Sequence, residues 1–236
     1  MQPEALIFDV DGTLAETEEA HRVAFNAAFA AAGLDWHWGR ARYTALLAVT
    51  GGKERIAHWC RSIGVEVDDP VIRALHADKT VRYSRLVAGG AVALRPGVRT
   101  LVETARAEGV RLAIATTTSR PNVDALIEAA FGEPSTAVFE VIAAGDEVPL
   151  KKPDPAVYRL ALERLGVPAG ATAALEDSAN GVRAARAAGI ACVATPGVYT
   201  TGDDFTGAAV IESLEGLGPS DVMALAASAH GTAVHA

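Results

Sequence analysis

Positive charge is in short supply in this sequence. Its 236 residues include 21 Lys and Arg against 29 Asp and Glu, which gives a formal net charge of −8 at pH 7. Nucleic-acid backbones and anionic membranes are bound by clusters of Lys and Arg, so this balance argues against both as partners. It does not argue against a small phosphate ligand, which a few local cations and a metal ion can hold.

Cysteine and long apolar stretches are also scarce. Cys60 and Cys192 show no metal-ligand spacing, and we expect both to be buried, reduced thiols. No apolar run approaches the ~20 residues that span a bilayer. The first residues, Met1 to Glu4, are not basic as a signal peptide would be. These absences predict a soluble, cytoplasmic protein.

What the sequence does contain is a series of short apolar runs separated by helical patterns. Runs of this length fit buried parallel strands, and after the first they recur every ~20 to 30 residues. They are Ala5–Val10, Leu112–Thr116, Val138–Ala143, Ala171–Leu175 and Ala191–Ala194. Pro, Asp and Gly signals bound the helical segments between them, which are Val98–Glu108, Asn122–Ala130, Ala156–Leu165 and Ser178–Ala188. The alternation predicts an α/β fold with a doubly wound, Rossmann-like parallel sheet.

One interval breaks this alternation. From Glu16 to about Ala88 there is no convincing strand, and four segments have helical character: Glu18–Ala32, Arg40–Ala48, Lys53–Ile63 and Pro70–Leu86. We expect residues 16–88 to form an inserted α-helical cap domain over the strand ends, with residues 1–15 and 89–236 forming the core. The small-residue tail Ala224–Ala236 is expected to fray, and its His230 and His235 show no ligand spacing.

Two acidic residues follow the first predicted strand, in the segment Asp9-Val-Asp11-Gly12. Side chains at i and i+2 share one face of an extended chain, so Asp9 and Asp11 should point into the same crevice, and Gly12 lets the chain turn sharply. Two carboxylates this close repel each other unless a cation or a proton lies between them. The pattern indicates a metal-bound pair, although a plain turn at the end of a strand can have the same sequence.

Further polar groups follow the later strands. They are Thr116 to Ser119 after the second strand, Lys151-Lys152-Pro153 between the third and fourth, and Glu176-Asp177-Ser178 at the end of the fourth. Each alone is also typical of an ordinary feature: a hydroxyl-rich turn, an exposed basic turn or a helix N-cap. Together they favour an active site, because the carboxyl ends of the strands in a doubly wound sheet form the ligand crevice.

The order of these motifs (acid pair, hydroxyl, lysine, acid pair) resembles that of the haloacid dehalogenase superfamily. The segments DVDGTL, IATTTS, KKPDP and LEDS carry the resemblance, which covers nearly the whole chain including the helical insert. It implies a phosphatase in which Asp9 attacks phosphorus and becomes an aspartyl-phosphate. Asp11 would protonate the leaving oxygen and later take a proton from the hydrolytic water.

The resemblance also implies roles for the later motifs. Thr116 would hydrogen-bond the phosphoryl group. Lys152 would lie against Asp9 and the phosphate, and Lys151 fits less well because the family lysine directly precedes the proline. The implied cofactor is Mg²⁺. Its implied ligands are Asp9, Asp11 through its backbone carbonyl, and Asp177, with Glu176 as a further candidate.

Substrate selection is expected in the helical insert and its hinge. In the β-phosphoglucomutase branch of the superfamily an acidic residue and a histidine at positions matching Glu16 and His21 face the active site, and Thr50–Arg55 resembles the loop that grips the distal part of the substrate. The candidate substrate-binding residues are Glu16, His21, Gly51, Gly52, Lys53, Arg85, Thr117 and Thr118. Plainer interpretations are a polar helix residue for His21, a helix start for the loop, and a solvated basic face for Lys79 and Arg85.

The pattern as a whole looks most like the CbbY-type proteins of this superfamily, particularly in DGTLAETE, TGGKERI and KKPDPAVY. That resemblance implies a sugar-bisphosphate phosphatase that acts on xylulose 1,5-bisphosphate, an inhibitor of Rubisco. We expect a monomer or a weak oligomer. Other functions on the same fold stay open: a phosphomutase of the β-phosphoglucomutase type, a phosphoglycolate phosphatase, or a non-catalytic sensor of phosphorylated metabolites.

Overall fold

A six-stranded parallel sheet lies at the centre of the structure, a computed structural model that describes residues 2–232 and the side chains as far as residue 229. Its strands are β1 (Ala5–Phe8), β2 (Arg111–Ala115), β3 (Val141–Ala143), β4 (Thr172–Glu176), β5 (Ala191–Ala194) and β6 (Ala209–Val210). The strand order is β3-β2-β1-β4-β5-β6, and all neighbours are parallel. The strands that precede the two acidic motifs, β1 and β4, are therefore adjacent.

Helices cover both faces of this sheet. In chain order they are α1 (Glu18–Ala31), α2 (Arg40–Leu46), α3 (Gly52–Ser62), α4 (Asp69–Ala88), α5 (Val98–Ala107), α6 (Arg120–Phe131), α7 (Ser135–Val138), α8 (Ala156–Leu165), α9 (Ala179–Ala187) and α10 (Pro219–Thr232). Successive side chains of a strand point to opposite faces. Leu6 and Phe8 accordingly join a buried cluster with α5, α6 and α10, whereas Ala5 and Ile7 join a second cluster with α8 and α9. The predicted doubly wound α/β fold is confirmed.

The structure differs from the sequence-based prediction in three places. The apolar run Val138–Ala143 is divided, because its first residue ends helix α7 and only Val141–Ala143 pairs with β2. Strand β6 was not predicted, since it has two residues and lies at the sheet edge. Helix α10 includes much of the tail that was expected to fray. It is anchored by Val222, Met223 and Ala226, which are buried in the core. His235 and the side chain of His230 lie outside the described residues.

Helices α1 to α4 occupy the interval between β1 and α5, and residues 16–88, all of which the structure describes, contain no strand. An aromatic cluster holds this helical insert together: the ring centroid of Trp38 lies 4.8 Å from the rings of both Phe25 and Phe29. Ala20 and Tyr83 join the cluster under the sheet instead, so α1 and α4 also contact the core. The division into a core and an inserted cap domain at residues 16–88 stays a prediction.

Both cysteines are buried and free, as predicted. No helix among the described residues is long and apolar enough to cross a membrane.

Gly97 and Gly132 offer a matched test of how tightly the core is packed. Both have a positive φ, +84° and +72°, where any side chain costs about 1–2 kcal/mol. A Cβ atom on Gly97 would lie 2.1 Å from the backbone carbon of Leu214, whereas nothing lies within 4 Å of one on Gly132. We expect Gly132→Ala to lower the free energy of unfolding by about 1–2 kcal/mol and Gly97→Ala to lower it by at least twice as much. Urea denaturation of the two variants measures the difference, and equal losses would contradict the packing described.

Candidate active site

Asp9 and Glu176, which the first and last motifs predicted, meet at the carboxyl end of the sheet around the amine of Lys152. Its Nζ atom donates to Oδ1 of Asp9 at 2.7 Å and to Oε1 of Glu176 at 2.6 Å. The Tyr158 hydroxyl donates to the same Glu176 oxygen at 2.6 Å, and the lysine amine lies 5.0 Å from the centre of the Tyr158 ring. All four side chains are buried. Lys152 thus orients the carboxylate of Asp9 without solvent between them.

Three carboxylates gather at this point. Asp9, Glu176 and Asp177 each place an oxygen within 4.8 Å of the others, and the amine of Lys152 is the cation bonded to two of them. Three ionised carboxylates against one ammonium group would leave a net charge of −2. A divalent cation would balance that charge, and carboxylate oxygens are the ligands that Mg²⁺ prefers. The donor set therefore fits such an ion.

The pKa values of these groups reflect the excess of negative charge. Burial, together with the charges of Glu176 and Asp11, raises the pKa of Asp9 to about 7 in spite of Lys152. Burial and the charges of Asp9 and Glu176 likewise raise the pKa of Asp177 well above its usual range. Burial alone would lower the pKa of Lys152, but the two carboxylates that it contacts outweigh this effect and raise it. The ammonium group is thus held charged, while the acids need a further cation to ionise together.

Two glycines allow the carboxylates to lie so close to the backbone. A Cβ atom on Gly12 would lie 2.1 Å from Oδ2 of Asp177, and one on Gly181 would lie 1.9 Å from Oε2 of Glu176. Gly12 was predicted only as a sharp turn, and its φ of +85° agrees with that role. The contact of Gly12 with Asp177 was missed, because the two residues lie on segments that are adjacent only in the fold. The role of Gly181 was missed although it lies close to Glu176 in the sequence, because it depends on how α9 begins after β4.

The carboxylate of Asp11 belongs to a different hydrogen-bond network from that of Asp9. Its Oδ1 atom accepts hydrogen bonds from the Thr17 hydroxyl at 2.6 Å and from Nε2 of His21 at 2.9 Å. The other ring nitrogen of His21 lies 2.7 Å from the amine of Lys79, and the His21 ring stacks on Tyr83 at 4.0 Å. Burial alone would raise the pKa of Asp11. The charge of His21 and the hydrogen bonds that His21 and Thr17 donate to Asp11 outweigh burial, so its pKa is lowered.

Lys79 at the end of this network is buried rather than solvated, which excludes the plainer interpretation for that residue. Burial lowers its pKa to about 8, although the charge of Asp11 acts in the opposite direction.

The hydroxyl segment after β2 forms a tight turn beside Asp9. Thr116 is buried, and its Oγ1 atom accepts a hydrogen bond from the backbone N–H of Thr118 at 3.2 Å. The carbonyl of Thr118 accepts from the backbone N–H of Gly145 at 3.0 Å, and a side chain at Gly145 would collide with Thr117. The turn therefore presents Thr117 and Thr118 to the neighbouring cavity.

A cavity of about 440 Å³ opens between this edge of the sheet and helices α1 to α4. It brings together most of the predicted residues, namely Asp9, Asp11, His21, Gly51, Gly52, Lys53, Thr117, Thr118, Lys152 and Asp177. Lining residues outside those motifs include His76 and Thr200. Neither has a motif of its own, because the packing of α4 and of the loop after β5 brings them to the cavity.

Two predicted substrate-binding residues lie elsewhere in the described structure. Glu16 forms an ion pair with Arg95, with an oxygen–nitrogen distance of 3.6 Å, and is not among the residues that line the cavity. Arg85 lines a separate, largely apolar groove between α4 and Pro121. Arg85 lies nine residues, or about two and a half helical turns, after His76, which is the last residue of α4 that lines both cavities. Its position on the helix therefore carries it away from the acid cluster.

Contacts between the helical insert and the core surround the cavity mouth. The Thr50 hydroxyl donates to the backbone carbonyl of Lys152. Lys53 forms an ion pair with Asp146 at 2.6 Å, and the Tyr199 hydroxyl donates to Glu19 at 2.7 Å. The helices thus contact the core directly at the segment that carries the buried lysine.

Comparison with known proteins agrees with this geometry. Residues 3–189 match the family of haloacid dehalogenase-like hydrolases. Protein CbbY of Rhodobacter capsulatus is 57% identical over 208 residues, which cover 88% of this chain and 92% of that protein.

The crystal structure of CbbY from Rhodobacter sphaeroides with phosphate superposes with a TM-score of 0.90 at 52% identity, covering 93% of this chain and 99% of that one. A mutant of that protein in complex with xylulose-(1,5)bisphosphate gives a TM-score of 0.90 at 51% identity, with the same coverage. The predicted family is confirmed, and the chain belongs to the haloacid dehalogenase-like hydrolases.

Proposed function

We propose that this protein is a Mg²⁺-dependent phosphatase that hydrolyses a sugar bisphosphate, with xylulose 1,5-bisphosphate as its substrate. The observation that carries the proposal is the buried group formed by Asp9, Lys152 and Asp177 at the floor of a cavity. The similarity to CbbY, crystallised with that sugar bisphosphate, supports the choice of substrate. We expect the protein to act in the cytoplasm as a monomer or a weak oligomer.

The first half-reaction transfers the phosphoryl group to the protein. A carboxylate oxygen of Asp9 attacks phosphorus, the bond from phosphorus to the sugar oxygen breaks, and Asp11 donates a proton to the leaving oxygen. In the second half-reaction a water molecule attacks phosphorus, Asp11 takes its proton, and the bond to Asp9 breaks to release phosphate. Lys152 holds Asp9 in one orientation throughout, because its amine is fixed between two buried carboxylates.

Charge is the main obstacle to this reaction. A carboxylate and a phosphate dianion repel each other, and at ~4 Å each pair of unit charges costs about 4 kcal/mol at an effective dielectric constant near 20. Bound Mg²⁺ would supply two positive charges beside the reacting phosphate. We assign it to Asp9, Asp177 and the backbone carbonyl of Asp11. Glu176 is fully buried and already accepts from Lys152 and Tyr158, so its proposed role is to hold the lysine.

Asp11 is suited to both proton transfers by its contacts with helix α1. Hydrogen bonds from Thr17 and His21 keep it ionised in the present arrangement, which is the form that accepts a proton from water. Acting as the acid in the first half-reaction requires a protonated Asp11, and weakening of these two hydrogen bonds would raise its pKa. Both donors belong to the proposed cap domain, residues 16–88, so movement of that domain would alter the pKa of Asp11.

Replacement of the proposed nucleophile is the first test. We expect Asp9→Asn to reduce phosphate release on the order of 10⁴-fold or more, because an amide cannot form the acyl-phosphate. Circular dichroism and thermal unfolding should show a folded protein, since asparagine has nearly the same volume. Appreciable turnover by the folded variant would contradict the mechanism.

Metal binding has a readout that does not depend on catalysis. Mg²⁺ should raise the melting temperature of the wild-type protein, because an ion that binds only the folded state stabilises it. In Asp177→Asn this rise should be lost. Without metal the variant should be at least as stable as the wild type, because the raised pKa of Asp177 marks a charge that destabilises the fold. Glu103→Gln, an exposed change on α5, is the control and should retain the full rise.

The substrate is tested by phosphate release with Mg²⁺ from xylulose 1,5-bisphosphate, phosphoglycolate and β-glucose 1-phosphate. We expect the highest kcat/KM for the bisphosphate. Formation of glucose 6-phosphate without free phosphate would indicate a mutase, preference for phosphoglycolate would indicate that phosphatase, and tight binding without turnover would indicate a sensor. Each of these outcomes would overturn the proposed substrate.

Lys53 provides a specific test for recognition of the second phosphate. It lines the cavity next to Gly51 and Gly52, and a pair of glycines favours anion binding because it can expose backbone N–H groups. We expect Lys53→Gln to lower kcat/KM for the bisphosphate about 10- to 100-fold, the value of one hydrogen bond to a charged group, with little change for phosphoglycolate. Arg61→Gln, at the other end of α3, is the matched control. Equal losses for both substrates would instead indicate that Lys53 acts through its ion pair with Asp146.

A further inference from the structure

Arg95 makes an unusual set of contacts at the point where the chain returns from the helical insert to the core. One terminal nitrogen donates to the backbone carbonyl of Gly12 and to that of Thr195, the latter at 2.6 Å. The other donates to the carbonyl of Pro196 at 3.0 Å, and Nε lies 3.6 Å from Glu16. The side chain is only 12% exposed. A single guanidinium group therefore joins two segments that are about 180 residues apart in the sequence.

These two segments are the walls on either side of the Asp177 carboxylate. Gly12 contacts it so closely that a Cβ atom would lie 2.1 Å from Oδ2, and a Cβ atom on Gly197 would lie 3.5 Å from the same oxygen. The second wall also bonds to it, because the Thr200 hydroxyl donates to Oδ2 at 3.2 Å and accepts from the backbone N–H of Gly197 at 2.9 Å. The spacing between the walls therefore determines where Oδ2 lies.

A purely structural role for Arg95 would be to hold together the two chain crossings between core and insert. The backbone already does this. The N–H of Arg95 donates to the carbonyl of Leu14 at 2.8 Å, and Ala15 and Leu94 form an antiparallel bridge. The guanidinium group instead reaches past the crossing to Gly12, Thr195 and Pro196. Its contacts are thus additional to those that fix the hinge, and all its carbonyl acceptors belong to the two walls.

We propose that Arg95 is a positioning residue for the divalent cation, which fixes the Asp177 carboxylate by tying the turn at Gly12 to the loop at Thr195–Thr200. This inference rests on the proposed metal-dependent function. The geometry also assigns Glu16 to this structure rather than to the substrate, because its carboxylate pairs with the same guanidinium group. Replacement of a group that holds a metal ligand in place typically weakens metal binding 10- to 100-fold.

The test is direct binding of Mn²⁺ to the protein without substrate, followed by the loss of the electron paramagnetic resonance signal of the free ion. We expect Arg95→Met to raise the Kd for Mn²⁺ about 10-fold or more. Arg95→Lys retains the charge but cannot reach three carbonyls, so we expect a smaller rise. Thr200→Val removes the hydrogen bond of the loop to Asp177 and should also raise the Kd. It replaces Arg95→Met in the test if that variant does not fold.

Arg111→Met is the matched control. Arg111 also bonds a backbone carbonyl, that of Leu165, and an acidic side chain, Glu140, but it lies at the amino end of β2, away from the cavity. Its replacement should leave the Kd for Mn²⁺ unchanged even if the melting temperature falls. Wild-type affinity in folded Arg95→Met, or the same rise in Arg111→Met, would overturn the role of Arg95 while leaving the proposed function standing. A wild-type protein that binds no Mn²⁺ would overturn both.

Discussion

The main constraint on this structure is the burial of three carboxylates within a few ångströms of one another. Asp9, Glu176 and Asp177 lie around a single ammonium group, that of Lys152, and are removed from water. Burial of one unpaired charge is costly, and burial of several like charges is more so unless cations compensate them. Lys152 compensates one of the three, and its low exposure means that solvent screens neither the attraction nor the remaining repulsion. The rest of the site can be understood as a means of holding this group open to a second cation and to an anionic substrate.

The parallel sheet satisfies this constraint because it brings distant acids to one edge. Asp9 follows β1 and Asp177 follows β4, and the register of these adjacent strands places Phe8 beside Leu175. The backbone N–H of Asp9 donates to the carbonyl of Leu175, which fixes the relative height of the two motifs. Helices on both faces then keep the strands from shifting. The rigidity that catalysis needs is therefore a property of the sheet rather than of the loops that carry the acids.

The sequence predicted the elements of the site that follow strands, and the reason is geometric. Parallel strands end at the same edge, so Asp9, Thr116, Lys152 and Asp177 could be expected to meet without knowledge of the packing. Contacts that depend on the separation of two loops could not be predicted in the same way. The contact of Gly12 with Asp177 and the carbonyl contacts of Arg95 are of this kind, since neither residue has a neighbour in sequence that indicates its partner. The position of Arg85 could not be predicted from the sequence either, because a residue on this helix can face either of two cavities.

The helical insert adds positive charge and a connection to the core at the same place. Lys53 and Lys79 line the cavity from the insert, while Lys152 lines it from the core. The polar contacts that join the two, such as Lys53 with Asp146, are partly exposed, and pairs of that kind contribute only about 0–1 kcal/mol each. These polar contacts would therefore add little to the cost of opening the proposed cap. A bisphosphate that bridges the cations of both parts would then favour the closed arrangement, because it interacts with all of them only when the cap is closed. Substrate binding, exclusion of water and neutralisation of charge at Asp9 would then occur together. The binding energy of the second phosphate would in this way contribute to the reaction at the first.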